Sequence, residues 1–247
     1  MELNDLIQRL TKQTDSLVNS MLKEVESNVQ PPPPENNFEP IQVLQKKASE
    51  AIQNDLSAVQ TNLQMGFKVI VESLSKDPLQ YEKLTTWFTT HIDDIQSSMA
   101  EGNKFEQTES LAQKLNFPEE LLTTIYGITL GLMDEKQYEQ AAAVSIVCLT
   151  IEPRVFSFWF TYGKILQLLQ TDDAALYAFQ MALTFDKCNP YVYAYMAKSW
   201  IALNMPEEAN SCLLSALQYC EGNKDDDDLV HYCYSLQAYC NQQTLKK

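Results

Sequence analysis

Apolar residues recur at helical spacing along most of this chain, broken by one proline-rich stretch near its start. Over residues 3–27, Leu3, Ile7, Leu10, Leu17 and Met21 follow three- and four-residue steps. Thr14 breaks that seam, and Leu6, Leu22 and Val25 widen the apolar side. The spacing predicts one amphipathic helix. It fits a short coiled-coil arm for self-association or partner capture as well as a helix folded back on its own domain. Residues 28–40 interrupt the pattern, because Pro31-Pro32-Pro33-Pro34 imposes an extended polyproline II form and reads as a linker. Helical spacing returns over 41–75 through Ile41, Leu44, Ala48, Ile52, Leu56, Val59 and Leu63, then Phe67, Ile70, Val71 and Leu74. Gly66 is expected to kink or split this helix. Ser75 to Pro78 predicts a turn and a fresh helix start. Leu84, Trp87, Phe88, Ile92 and Ile95 then mark the core side of a helix over 79–99. A shorter helix over 104–115 carries Phe105, Leu111 and Leu115, and Phe117-Pro118-Glu119-Glu120 opens the next one.

From there the pattern repeats. Ala141, Ala175 and Ala209 fall 34 residues apart, as do Ala182 and Ala216. Three copies fit without a gap: 122–155, 156–189 and 190–223. Large residues stand near the start of each copy (Ile125, Trp159, Tyr193), and small ones four residues on (Thr129, Gly163, Ala197). Leu132, Leu166 and Trp200 fill the space below. Ser145, Phe179 and Leu213, then Cys148, Ala182 and Ala216, continue the register on the second helix. Pro153 and Pro190 are expected to end the second helices. A 34-residue helix–turn–helix period is that of the tetratricopeptide repeat. The expected architecture is therefore all-α: three repeats forming a concave superhelix, preceded by an N-terminal helical region. Leu229, Tyr232, Cys233, Leu236 and Cys240 predict a capping helix over 229–242 that closes the open end of the stack. The domain reading is an N-terminal helix at 1–28, a linker at 29–40, a helical subdomain at 41–115, and repeats plus cap at 116–247.

Composition narrows the function. Asp and Glu outnumber Lys and Arg 33 to 18, a formal charge of −15, which disfavours a nucleic-acid partner. The N-terminus lacks a charged-then-apolar signal pattern, and no apolar run approaches the roughly 18 residues that span a bilayer. A cytosolic protein without membrane insertion is expected. The six cysteines include no C-x-x-C pair, so they read as small apolar packing residues in a reducing compartment rather than as metal ligands. Glu221 to Asp228 lacks the ligand spacing of a calcium loop and reads as a solvated turn and helix start. His91 and His231 have no triad context, and there is no Gly-rich phosphate loop. No catalytic residue, cofactor or metal is assigned, and the chain reads as a binder.

In a stack of such repeats the first helix of each copy lines the concave face, at positions two, five, nine and twelve. Here those are Thr123, Tyr126, Leu130 and Met133; Ser157, Phe160, Lys164 and Gln167; and Tyr191, Ala194, Lys198 and Ile201, with Tyr195 beside them. The candidate peptide-binding residues are Tyr126, Leu130, Met133, Phe160, Lys164, Gln167, Tyr191, Tyr195 and Lys198. Aromatic and apolar groups with a few polar ones suit an extended peptide. Repeat proteins that clamp a C-terminal carboxylate place Lys and Asn at positions five and nine of their first copy. Tyr126 and Leu130 stand there instead, which argues against a clamp.

The repeat block resembles the class II chaperones of bacterial type III secretion systems, which hold hydrophobic translocator proteins. Gly163 followed by Gln167, the aromatic Phe179, the closing Asp186 and the run Pro190 to Ala197 carry the resemblance, over about 118–221. Tyr193 and Lys198 depart from the family pattern, and residues 1–115 are much longer than its leading helix. The resemblance implies a bacterial, cytoplasmic, virulence-associated chaperone. Its groove would hold an extended segment of a secreted translocator before export, and it would form a homodimer through N-terminal helices. The alternative is an adaptor that bridges folded partners.

Overall fold

The computed structural model describes the backbone of residues 41–100, 110–220 and 227–244, and side chains within 58–91, 110–220 and 227–242. The expected helix at 1–28, the linker at 29–40, residues 104–109 and most of the acidic turn lie outside the described residues. Among the described residues there are ten helices and no strand. The chain divides into two compact units, residues 1–131 and 132–247.

In the first unit α1 spans Ile41–Leu74 and α2 Pro78–Ala100. Gly66 does not split α1, which runs unbroken through it. The cost of one helical glycine, about 1 kcal/mol, is offset by burial of Leu63, Ile70, Val71 and Leu74 on either side. Asp77 starts α2 as expected. Its Oδ1 accepts from the N–H groups of Leu79 at 3.1 Å and Gln80 at 3.3 Å, with Pro78 in the first helical position. Helix α3 is only Leu111–Lys114. Ser110 and Gln113 form a capping box that fixes its start at Leu111, later than the sequence pattern predicts. The buried Trp87 indole donates to the Leu115 carbonyl at 3.1 Å and lies edge-on to Phe117 at 4.6 Å, which ties α2 to the approach to α4, Glu119–Asp134. Glu120 accepts from Lys83 at 2.7 Å and from Gln80, and these bonds hold its carboxyl below the usual range.

In the second unit the 34-residue period is written in the backbone. Second helices are α5 (Tyr138–Ile151), α7 (Asp172–Phe185) and α9 (Pro206–Cys220); first helices are α6 (Phe156–Leu168) and α8 (Pro190–Ala202). The first helix of the first repeat is α4, which begins at Glu119, within the expected Phe117-Pro118-Glu119-Glu120 helix start. Between first and second helices the chain turns the same way each time. Lys136, Gln170 and Asn204 adopt left-handed φ values of 61°, 60° and 62°. The N–H of the following residue (Gln137, Thr171, Met205) reaches five residues back to Leu132, Leu166 and Trp200, at 2.8–3.0 Å. This is the Schellman C-cap, which satisfies carbonyls left open at a helix end. A side chain with a Cβ is strained at positive φ, so Gln170→Gly is expected to stabilise the fold by about 0.5–1 kcal/mol after the added unfolded-state entropy. Asn204→Gly should be nearly neutral, because asparagine tolerates this conformation. Urea midpoints of the two variants test the ordering.

The second-to-first connections repeat as well. Glu152 and Asp186 end α5 and α7 with nearly identical dihedrals, and their N–H groups bond Cys148 and Ala182. Pro190 does not end a second helix but opens α8. Asn189 caps that helix by accepting from the N–H groups of Tyr191 and Val192. The large residues near each start hold the loop before them: the Trp159 indole donates to the Pro153 carbonyl at 2.7 Å, and the Tyr193 hydroxyl to that of Lys187 at 3.1 Å.

The small-residue columns lie in the core, with Ala141, Ala175, Ala209, Ala182 and Ala216 fully buried. Phe179 is the bulkiest fully buried side chain of the described residues, and it crosses α6 at Gly163. A second cluster joins Ala194, Ala197, Ala209, Leu213 and Ala216 to Leu229, Cys233 and Cys240 of α10, Asp227–Thr244. The cap therefore forms, although Tyr232, expected inside it, is 39% exposed. The cysteines Cys220, Cys233 and Cys240 serve as packing. Burial, with Cys220 adjacent, pushes the Cys233 thiol up to about 11, far from a reactive thiolate.

Candidate functional site

Helices α6 and α8 are first helices of successive repeats and touch each other. On α6, Phe156, Phe160, Lys164 and Gln167 share one face, at steps of about one turn. On α8, Tyr191, Tyr195 and Lys198 do the same. The two faces meet. Phe160 stacks on Phe156 at 5.6 Å and stands edge-on to Tyr195 at 5.4 Å. Phe179 backs both rings, 6.0 Å from each. The Lys164 ammonium lies 5.7 Å from the Phe160 centroid and 5.6 Å from that of Tyr195, a double cation–π contact. Phe160, Lys164 and Tyr195 are all half-buried, while Tyr191 and Lys198 are exposed.

Gln167 is engaged rather than open. Its Nε2 donates to the Tyr195 carbonyl and the Ser199 hydroxyl, each at 2.7 Å, which clasps one repeat to the next. Ala194, at a position expected to face inward, is fully buried, and Ile201 packs on the same cluster. Both lie on the last repeat, where α10 covers them. Of the remaining candidates, Tyr126 and Leu130 belong to the first unit, half-buried and 42% exposed on one side of α4. Met133, half-buried, lies in the last turn of α4 within the second unit.

Sequence reasoning assigned Tyr232 to the interior of the cap and not to the site. Tyr232 lies on α10, which packs on α8, and burial raises its phenol pKa, as does the neighbouring Tyr195. The signal was present in shifted form. Leu229, Cys233, Leu236 and Cys240 repeat the spacing of Val192, Met196, Ser199 and Leu203, displaced by 37 residues instead of 34. Tyr232 then falls where Tyr195 stands, but the longer connection defeats a strict count of 34.

Among the described residues no group of three or more His, Cys, Asp or Glu is placed to hold a metal ion. No described helix is long and apolar enough to cross a membrane. His231 is exposed two residues from the buried Cys233, so the two side chains leave α10 on different sides.

No protein-family model and no curated protein sequence matches the chain. Solved structures do. A type III secretion system complex from Aeromonas hydrophila aligns at a TM-score of 0.55 and 14% identity, covering 57% of this chain and 95% of that one. The Yersinia enterocolitica type III secretion translocator chaperone SycD aligns at 0.51 and 17% identity, over 53% and 98%. PcrH, the Pseudomonas aeruginosa protein, in complex with the chaperone binding region of PopD aligns at 0.50 and 14% identity, over 52% and 96%. At such identities the likeness is one of fold. This chain shares the all-α fold of those proteins over just over half of its length.

Proposed function

We propose that this chain is a non-catalytic chaperone, acting in the bacterial cytoplasm, that holds an extended apolar segment of a secreted type III translocator or related client before export. The observation that carries the reading is the aromatic and cationic face of Phe160, Lys164 and Tyr195 on successive first helices. Such a face can take apolar side chains between rings while polar groups meet the backbone of an extended peptide. The fold likeness to a chaperone solved with the chaperone binding region of PopD supports the same direction. A bound segment would be masked from aggregation and from premature membrane contact. Tyr191, Lys198 and Tyr232 would flank the segment, and self-association would fall to the N-terminal helix.

Co-expression with candidate translocators of the same organism tests the reading. Wild type should keep a translocator soluble at stoichiometric ratio. Phe160→Ala should weaken capture by about thirtyfold, as expected for a central aromatic anchor worth about 2 kcal/mol, while circular dichroism confirms that the variant is folded. If no translocator is held, and folded proteins bind tightly with unchanged solubility, the adaptor reading replaces this one.

A further inference from the structure

Charge is segregated between the two sets of helices in the second unit. The second helices carry Glu139, Asp172, Asp173, Glu207 and Glu208 and no cation. The first helices α6 and α8 carry one lysine each, Lys164 and Lys198, and no carboxylate. In a chain of formal charge −15, the aromatic face is thus locally positive. Among the described residues neither lysine is in an ion pair. Lys164 is held in place by two rings, which position an ammonium without neutralising it.

The two lysines occupy the same position in successive repeats, 34 residues apart, on helices that touch. Packed helix axes lie about 8–10 Å apart. A polyproline II segment has three residues per turn and rises about 3.1 Å per residue, so its residues i and i+3 face the same way roughly 9 Å apart. A β-strand fits less well, because its residues i and i+3 face opposite sides. Aromatic-lined surfaces also favour the polyproline II form, whose ordering costs little entropy. On the reading that this face holds an extended peptide, we infer that its occupant is an acidic polyproline II segment with two carboxylates three residues apart, one meeting Lys164 and the other Lys198.

Three fluorescein-labelled peptides of about twelve residues, rich in Pro, Ala and Leu, test this against the full chain by anisotropy. They differ only at two positions three apart, occupied by Glu, Gln or Lys. The Glu peptide should bind about five- to tenfold more tightly than the Gln peptide, as two partly screened ion pairs allow, and this margin should shrink with added salt. Lys164→Gln/Lys198→Gln should erase the preference, and Lys164→Glu/Lys198→Glu should transfer it to the Lys peptide. Equal binding of the Glu and Gln peptides, with both lost in Phe160→Ala, overturns the acidic specificity and leaves the peptide-holding face standing. A preference that survives Lys164→Gln/Lys198→Gln overturns the assignment to these lysines. Failure of every peptide to bind also overturns the inference, while capture of whole translocators judges the chaperone reading separately.

Discussion

Phe179→Ala is expected to cost about 3–5 kcal/mol, within the range for deleting a buried ring and leaving a cavity. That is a large part of the roughly 5–15 kcal/mol that holds a typical domain together. Phe179 is fully buried and packs against Leu166, Ala175, Ala178, Ala182, Val192 and Met196 in one cluster, which spans two repeats. It also backs Phe160 and Tyr195, so the loss should loosen the candidate site with the core. The partner in this contact is Gly163. A Cβ built there would stand 2.5 Å from Cε1 and 2.7 Å from Cδ1 of the Phe179 ring. Alanine would ordinarily improve a mid-helix glycine by about 1 kcal/mol. Overpacking against a buried ring costs about 1–3 kcal/mol, so Gly163→Ala should be net destabilising by up to about 2 kcal/mol. The sign should reverse in a Phe179→Leu background, where the obstruction is gone and the propensity gain remains. A double-mutant cycle by urea denaturation reads the coupling. A Gly163→Ala variant more stable than wild type would mean that the helices do not cross this closely.

This pair also shows how far the residues alone can be read. Gly163 and Phe179 were each legible as members of repeating columns, Thr129, Gly163 and Ala197 in one and Ser145, Phe179 and Leu213 sixteen residues further on, with the bulky partner present in the second and third copies. The left-handed turns at Lys136, Gln170 and Asn204 were not, since none is the glycine that usually signals such a turn. Pro190 was ambiguous, because a proline marks the first turn of one helix as readily as the end of another. In the site, Phe160 and Lys164 stand at register positions five and nine of their repeat, while Tyr195 entered only as a residue beside the register positions, next to Ala194. Gln167 carried no sign in the sequence that it would be spent on the Tyr195 carbonyl, because a glutamine on a helix face looks the same whether it meets solvent or a neighbouring backbone. Ala194 was misplaced because counting positions within a repeat assumes that every repeat is followed by another. The last one is followed by α10, which lies on its first helix.

Truncation after residue 226 should therefore be the most damaging single change at the C-terminal end. It removes α10 and with it Leu229, Cys233 and Cys240, which are buried, and Leu236, which is packed on the same cluster. Burial of a leucine side chain stabilises by about 1.5–3 kcal/mol, and the two cysteines, as small apolar groups, add less each. The sum, even reduced for compactness of the unfolded chain, is of the same order as the stability of a typical domain. The truncated chain would also expose Ala194, Ala197, Leu213, Ala216 and Cys220 together, an apolar end of the kind that makes uncapped solenoids insoluble. Amide exchange should quicken most in α8 and α9, which border the removed helix, and least in α6 and α7, because repeat stability is largely a nearest-neighbour property. The milder Leu229→Ala should lose about 2–4 kcal/mol and show the same gradient in a soluble protein. If the truncated chain stays soluble and melts at the wild-type temperature, α10 is not the cap. If Leu229→Ala quickens exchange uniformly along α6 to α9, the unit unfolds as one cooperative block and the repeats do not act as separable layers.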